Sequence, residues 1–249
     1  MRANSIDDVI EMLGDIINTT EHQETPIGYF AALYRKVTIK VKDGIANGDF
    51  IDAERMEKLD IRFANRYLEA YHLYSAGNQS SLCWMRAFEQ ADNKSLIVLQ
   101  HLLLGMNAHI NYDLGIATAE VGEETNWDDL HADFNKINKI LASLVFRVEY
   151  DLSKMWPGLK KILKWTGIID NFLIGFSMRL ARDGAWKFAI NLRYKEKASW
   201  AEIMLKRDKQ VGDFASMIDR PNLLIRIVFI FIRRKEVGTI GERIAILKS

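Results

Sequence analysis

One stretch of the sequence carries most of the residues that could do chemistry. It reads HLLLGMNAHINYDL from His101 to Leu114, and its polar residues interrupt a run that is otherwise apolar enough for the centre of a helical protein. At about 100° per residue, His109 and Asp113 lie one turn apart on the same helix face. A neutral imidazole held by a carboxylate is a competent general base near pH 7. This pair is therefore the first candidate for a catalytic site.

A third candidate catalytic residue, His101, lies eight residues before His109, which is a rise of about 12 Å along a helix. Metal ligands lie about 2 Å from their ion, so the two histidines are too far apart to bind one ion. His109 and Asp113 are residue types that bind divalent metals, but their spacing lacks the specificity of an H-E-x-x-H helix. The cofactor is unknown from the sequence, and a divalent metal at this pair is one alternative.

Asn107 and Asn111 form a second i, i+4 pair on another flank of the same helix, where their amides could hydrogen-bond a small-molecule ligand. Gly105 in mid-helix costs about 1 kcal/mol relative to alanine, which indicates that a neighbouring helix or a ligand approaches closely there. A second interpretation needs no ligand. The same polar residues can form a satisfied network in the core of a non-catalytic binding or interaction protein.

Two further segments supply candidate ligand-binding residues. Arg66 lies in a predicted helix from which Asp60 and Tyr67 could also point inward. Arg182 and Asp183 are adjacent, so they diverge by about 100° on a helix and cannot simply neutralise each other. An arginine in an apolar helix suits a clamp for a carboxylate or a phosphate. The alternative is a buried ion pair between Arg182 and another helix.

Charge and motif content exclude several classes of protein. The 249 residues include 34 Lys and Arg against 33 Asp and Glu, which argues against a dedicated nucleic-acid-binding protein. Residues 1–125 carry 11 basic and 19 acidic side chains (net −8), and residues 126–249 carry 23 and 14 (net +9). The two halves either complement each other or expose a basic face to an anionic substrate or membrane. Glycine-rich phosphate loops, G-x-S-x-G elbows and C-x-x-C pairs are absent from the sequence, which argues against nucleotide hydrolases, α/β-hydrolases and zinc fingers.

The elements that must position these residues are predicted to be helices. Caps and helical periodicity recur, and no hairpin signal between alternating strands is present. The sequence predicts an all-α, single-domain bundle of about ten helices over residues 1–249, with a central buried helix at about 93–121. The other predicted helices run over about Ser5–Asn18, Thr25–Gly48, Asp52–Gly77, Ser80–Ala91, Thr125–Met155 and Ile169–Leu192. A short turn is expected from Pro157, and capping boxes at Ser199 with Glu202 and at Thr239 with Glu242 open the last helices.

The longest apolar run, Leu223 to Ile232, is too short to span a bilayer, which takes about 20 residues. It is predicted to be a helix buried in the body, because an apolar helix without a polar face must be covered all round. The cover comes from this chain or from a second copy, which makes a homodimer through this helix a second expectation. An exposed patch there would mark a dimer or membrane contact instead.

The expected compartment is the cytoplasm. Cys83 is the only cysteine of the chain, so an internal disulfide is excluded. The first 22 residues alternate acidic and apolar side chains at helical spacing, which is unlike a signal peptide.

The run LLGMNAHINYDL resembles the signature of an uncharacterised bacterial family, catalogued as a domain of unknown function, in which a G-M-N-A-H-I-N-x-D-L helix is the most recognisable feature. Three other stretches resemble the same family: FANRYLEAY (Phe63 to Tyr71), DFNKINKIL (Asp133 to Leu141) and FSMRLARDGAWKFA (Phe176 to Ala189). The resemblance extends over most of the chain. It implies an all-helical fold with a shared polar site and implies no particular activity.

Overall fold

The computed structural model of the chain describes residues 2–156 and 178–249, and the regular structure in these two ranges is helical throughout. The all-α prediction is confirmed. Eleven α-helices lie in the described ranges: α1 (Ile6–His22), α2 (Ile27–Ala46), α3 (Ala53–Ser75), α4 (Leu82–Glu89), α5 (Val98–Ala108), α6 (Leu114–Gly122), α7 (Trp127–Met155), α8 (Met178–Arg193), α9 (Lys197–Asp219), α10 (Leu223–Lys235) and α11 (Ile240–Lys248). A single 3₁₀ turn (Gln90–Asp92) follows α4, and a π-helical turn (His109–Asp113) joins α5 to α6.

Several helix starts follow the predicted caps. Ser5 and Thr239 form reciprocal capping boxes with Asp8 and Glu242, and Asp52 accepts a hydrogen bond from the N–H of Arg55 at the start of α3. Each of these side chains satisfies an N–H group that has no partner inside the helix.

Several predicted helix boundaries are wrong. The first helix continues to His22 rather than ending near Asn18. The cap of α7 is Asn126, whose side chain accepts from two N–H groups, and not Thr125. The predicted cap Ser199 lies inside α9, which already begins at Lys197. A local capping signal does not exclude a helix start a few residues earlier. The predicted turn at Pro157 and the predicted helix start at Ile169 lie outside the described residues.

The central helix is buried as predicted, but it differs in two ways from a continuous helix over 93–121. Its first turn begins at Val98, because Ile97 has an extended backbone conformation and residues 93–97 are not helical. The π-helical turn then interrupts it, with the N–H of Leu114 bonded to the carbonyl of His109 five residues earlier. π-Helical turns are rare and are frequent at functional sites.

The predicted close approach at Gly105 is confirmed. A Cβ atom at this position would lie 2.5 Å from the ring of Phe30 on α2. The missing side chain of the glycine therefore lets α2 place an aromatic ring directly against the central helix.

Two acidic side chains that are distant in sequence bind the starts of α4 and α5. Asp208 on α9 accepts hydrogen bonds from the N–H groups of Leu82 (2.7 Å) and Cys83 (2.9 Å). Glu236 accepts from the N–H of Val98 at 2.8 Å. Carboxylates at helix N-termini interact favourably with the helix dipole, so these two residues fix the positions of the helices that carry and flank the polar segment.

The last helix, α11, closes the bundle against its beginning. Its side chains Ile244 and Leu247 are buried in the main core, and Ile244 packs beside Gly28 at the start of α2. Glu24 accepts hydrogen bonds from the Thr239 hydroxyl (3.0 Å) and from the N–H of Gly241 (3.1 Å). The two ends of the chain are thus packed together.

The prediction that Leu223 to Ile232 is a helix is confirmed, but the prediction that it is buried is wrong. Only Phe229 and Ile232 are buried, whereas Leu223 is 72% exposed and Phe231 is 59% exposed. The helix therefore has one buried and one exposed apolar face. Within the described ranges, no helix combines the length and the apolarity that a membrane span requires.

Candidate functional site

The predicted contact between His109 and Asp113 is present. Nδ1 of His109 lies 3.2 Å from Oδ2 of Asp113, and both side chains are almost completely buried. Two other helices contribute donors to the same carboxylate: Nε1 of Trp84 donates to Oδ2 over 2.8 Å, and Nε of Arg66 donates to Oδ1 over 3.0 Å. Asp113 is therefore held by three hydrogen bonds, one of them part of an ion pair.

The positions of these donors follow from the fold. Trp84 lies on α4, whose start is bonded by Asp208, and Arg66 lies on α3 with its guanidinium 5.4 Å from the centre of the Tyr112 ring. Arg66 was a predicted ligand-binding residue. In the structure it contacts Asp113 directly and keeps about a quarter of its side chain exposed.

Aromatic rings from three helices, α2, α3 and α4, surround the imidazole of His109. The ring of Phe63 is stacked on it at a centroid distance of 3.5 Å, and the ring of Tyr34 meets it edge-on at 4.4 Å. Phe30, Trp84 and Tyr67 complete the enclosure at 5.6, 5.9 and 6.1 Å. Burial in this enclosure lowers the pKa of His109, although the hydrogen bond that the ring makes to Asp113 acts in the opposite direction. The imidazole is therefore neutral at pH 7.

The hydrogen bond fixes which nitrogen of His109 carries the proton. A carboxylate is only an acceptor, so Nδ1 of the neutral ring must be the donor to Asp113 and Nε2 must hold the free lone pair. Nε2 is buried and has no hydrogen-bond partner among the described residues. This is the arrangement in which an aspartate orients a histidine for general-base catalysis.

Four further buried oxygen atoms on α2 and α3, the helices that carry Tyr34 and Tyr67 beside His109, lack a hydrogen bond within the described ranges. They are Oδ2 of Asp60 and the hydroxyl oxygens of Tyr34, Thr38 and Tyr67. Thr38 lies near enough to Tyr34 to favour its ionised form, but neither hydroxyl has a hydrogen bond of regular geometry. A purely structural network normally satisfies such groups.

Asp60 supplies the one carboxyl group among these four atoms, and its pKa is strongly shifted. Burial, with a smaller contribution from the charge of Glu57, raises its pKa to about 7. The carboxyl also raises the pKa of the Tyr34 hydroxyl, which burial already places well above its usual value. Asp60 and Tyr67 point inward, as their spacing on α3 allowed.

His101, the third predicted catalytic residue, lies in a cleft beside this centre. The cleft is narrow, with about 20 Å³ of space for the centre of a water molecule, and its lining includes the aromatic side chains Phe30, Tyr67, Trp84 and Phe88. Burial, assisted by the charge of Arg233, lowers the pKa of His101 to about 3. Three of the rings that line the cleft also surround His109, which itself does not line it.

The predicted pair Asn107 and Asn111 is present but faces away from His109. The amide of Asn111 donates to Oδ1 of Asn107 over 2.9 Å, and the amide of Asn107 donates to the carbonyl of Val211 on α9. Arg207 donates to the carbonyl of Asn111 inside the π-helical turn. These contacts connect the central helix to α9, and ligand binding by the two asparagines stays a prediction.

Arg182 and Asp183 are also separate from the centre. Arg182 is buried against α7, where its Nε donates to Oδ1 of Asn138 over 2.8 Å and its guanidinium lies 4.2 Å from the centre of the Phe134 ring. Burial lowers the pKa of Arg182 to about 10. Asp183 is exposed, and no carboxylate of another helix in the described ranges pairs with Arg182. The role of the two residues as an anion clamp stays a prediction.

The predicted metal pair is arranged as a hydrogen-bonded pair. Both oxygens of Asp113 accept hydrogen bonds and Nδ1 of His109 faces one of them, so only Nε2 of His109 is available to an ion without breaking these contacts. The described part of the chain contains no group of three or more His, Cys, Asp or Glu side chains placed to hold one ion.

Sequence reasoning missed the aromatic part of the site. Trp84, Phe63, Tyr34 and Phe30 come from three other helices, and their periodicity is that of ordinary core residues. The π-helical turn has no sequence signal that we recognise. The paired spacing of His109 and Asp113 was the one local signal, because an i, i+4 contact depends on the helix alone.

Comparison with known proteins identifies the family. No curated protein and no solved structure shows a significant match to the chain. The profile of DUF5995, described as a family of unknown function, matches residues 6–221, which is most of the sequence and includes every residue of the His109 centre. The chain therefore belongs to the DUF5995 family of unknown function.

Proposed function

We propose that the chain is a small-molecule enzyme in which Nε2 of His109 acts as a general base. One observation carries this proposal: Asp113 holds Nδ1, while Nε2 faces a buried centre in which no described residue bonds it. The lowered pKa keeps the imidazole neutral at pH 7, so its lone pair is available to accept a proton.

Asp113 and its other donors have a positioning role in this proposal. Once His109 accepts a proton, its positive charge lies beside a carboxylate that is already fixed by Trp84 and Arg66. Such a fixed carboxylate stabilises the imidazolium without having to reorganise. The pair with Arg66 limits this effect, because the two cations share one negative charge.

The cleft beside His101 is the proposed ligand entrance. Phe30, Tyr67 and Trp84 separate it from His109, so a rotation of one of these rings would connect the two spaces. Four aromatic side chains contribute to the lining, and His101 adds an imidazole. This composition suits a small ligand with an apolar, planar part. We propose a cytoplasmic setting, in keeping with the one free, buried cysteine.

The second candidate function is non-catalytic ligand binding with His109 in a core network. Two observations favour it. His109 is only 2% exposed, and both carboxylate oxygens of Asp113 already accept hydrogen bonds from protein side chains. In this case the cleft binds a ligand, and the centre behind it maintains the shape of the cleft.

The experiment that distinguishes these functions uses His109→Asn. The amide of asparagine can still donate to Asp113 from the position of Nδ1, but the variant has no atom in the place of Nε2. Wild type and variant are incubated with a panel of small metabolites. Binding is measured by the shift in melting temperature and conversion by mass spectrometry. His22→Asn, at an exposed position on α1, is the matched control.

We expect a compound that wild type and His22→Asn both convert. His109→Asn should bind this compound with similar affinity and convert it at least about 100-fold more slowly, which is the usual contribution of a general base. Conversion at an equal rate by His109→Asn would refute the proposal. A compound that wild type binds without converting would support the second candidate.

A metal version of the site gives a different result in a separate measurement. If Nε2 were a metal ligand, protein purified without an affinity tag would contain a stoichiometric ion by elemental analysis, and His109→Asn would lose it. The proposed acid/base centre predicts no stoichiometric ion in either protein.

A further inference from the structure

The outer face of α10 is a continuous apolar surface. Its exposed side chains are Leu223, Leu224, Ile227, Ile230 and Phe231, with exposed fractions between 43% and 72%. At about 100° per residue these five positions occupy an arc of about 120° on one side of the helix. Phe229 and Ile232, on the opposite side, anchor the helix in the core. This arc is called the outer face of α10 below.

Basic residues border the outer face. Arg226 lies on one edge of the arc, Lys235 lies on the other, and Arg234 lies within it near the end of the helix. None of the three forms an ion pair with a described residue. Residues 220–235 contain no Asp or Glu. Cations near a helix C-terminus are favoured by the helix dipole, but this does not account for Arg226, which lies in the first turn of the helix.

We propose that the outer face of α10 binds the surface of an anionic phospholipid membrane. A helix with an apolar face and basic residues along its edges lies in the plane of the interface, with the apolar side chains among the acyl chains and the basic ones at the headgroups. The stems of Arg and Lys bury along apolar surface while their charges stay at the phosphate level. The buried side of α10 keeps the rest of the protein above the membrane.

A second copy of the chain fits the same face less well. A two-fold contact would place this face against itself, so the basic residues of both copies, Arg226, Arg234 and Lys235, would lie in one interface to which residues 220–235 bring no carboxylate. Like charges in a contact are repulsive. Five apolar side chains also supply less surface than the roughly 800 Å² per partner of a standard interface. The homodimer is therefore the competing outcome of the test.

The test is flotation of the purified full chain with vesicles. Vesicles of phosphatidylcholine alone are compared with vesicles that contain about one-third phosphatidylglycerol, at low salt and at high salt. We expect binding to the anionic vesicles at least about tenfold tighter, and weaker binding at high salt. A single Arg226→Gln substitution should weaken binding about fivefold, the contribution of one basic residue near an anionic surface.

Ile227→Glu combined with Phe231→Glu should abolish vesicle binding, because it puts two negative charges on the outer face of α10. Both side chains are exposed, so their replacement leaves the core intact. Leu205→Glu, at a 70% exposed leucine on α9, is the matched control and should bind like wild type. Circular dichroism verifies that each variant is folded. Equal binding to both kinds of vesicle, or none to either, would overturn the proposal. So would a dimer in analytical ultracentrifugation that the double substitution converts to monomer.

Discussion

Trp84 and Asp113, which are 29 residues apart in sequence, are joined by a hydrogen bond of 2.8 Å from the indole Nε1 to Oδ2 of the carboxylate. Both side chains are at most 1% exposed. The same oxygen faces Nδ1 of His109, so the indole helps to hold the acceptor that fixes the histidine. A change at Trp84 should therefore affect both stability and the state of His109.

Trp84→Phe should lower the free energy of unfolding by about 1 to 3 kcal/mol, because the buried carboxylate of Asp113 loses a donor. The smaller ring also leaves a cavity, which adds to the loss. Urea unfolding at pH 7 measures the loss. Trp200→Phe is the control, since that indole makes a longer bond of 3.3 Å to the carbonyl of Lys195. An equal loss of stability in both variants would show that the hydrogen bond from Trp84 to Asp113 contributes no more than an ordinary indole contact.

Replacing each of two helical glycines by alanine should have opposite effects on the stability of the protein. Gly105→Ala should destabilise the protein, because the new Cβ would lie 2.5 Å from the Phe30 ring that also contacts His109. Gly184→Ala on α8 should stabilise it by up to about 1 kcal/mol, because the nearest atom would be at 3.8 Å and alanine favours helix. Thermal unfolding of both variants checks this, and a stable Gly105→Ala would contradict the close packing described here.

Asp60 should make the protein less stable as the pH rises towards and through 7. Its pKa of about 7 in the folded chain exceeds the usual 3.8, so between these values the folded state binds more protons than the unfolded state. The contribution of Asp60 to stability is fully present below pH 4 and is lost as the pH rises, by up to about 1.4 kcal/mol per pH unit. Asp60→Asn should remove this dependence, so its stability relative to wild type should increase from pH 5 to pH 8 in urea unfolding.

Asp133 provides a contrast of opposite sign. Burial disfavours its ionisation, but hydrogen bonds from the N–H groups of Ile51 and Asp52 outweigh this and lower its pKa. Its contribution is therefore present above the usual pKa and lost as the pH falls below it. Asp133→Asn should be most destabilising at neutral pH. A pH dependence of the same sign for Asp60→Asn and Asp133→Asn would contradict the raised pKa of Asp60.

Deleting the chain from Pro221 onward should give insoluble protein. The deletion removes α11, whose Ile244 and Leu247 are at most 1% exposed in the main core, and it uncovers the surfaces of α1 and α2. Solubility and circular dichroism of the truncated chain measure the effect. A soluble, folded monomer would show that α10 and α11 are an appendage to the domain.

The fold class and many helix ends could be predicted because they depend on local chemistry. Ser5, Asp52 and Thr239 cap their helices through bonds within one turn, and the His109–Asp113 contact likewise needs only helical spacing. Gly105 indicated a close neighbour but not its identity, since Phe30 is far away in sequence.

The rest depends on how distant helices meet. The sequence placed Leu223 to Ile232 in the core because the run is apolar all round, yet whether a face is covered is decided by the packing of other helices. Trp84 and Phe63 resemble any core aromatic residue until α3 and α4 are placed around His109. Arg182 donates to neutral acceptors on α7, the side chain of Asn138 and the carbonyl of Phe134. The sequence of its own helix does not predict these partners.

The protonation of His109 at pH 7 tests the central claim most directly. In protein labelled with ¹⁵N-histidine, NMR distinguishes the two ring nitrogens and shows which one carries the proton, and the His109→Asn spectrum assigns the signals. The structure predicts a neutral ring with the proton on Nδ1 and a free lone pair on Nε2. A proton on Nε2 of the neutral ring, or a fully protonated imidazolium at pH 7, would contradict the proposed general base.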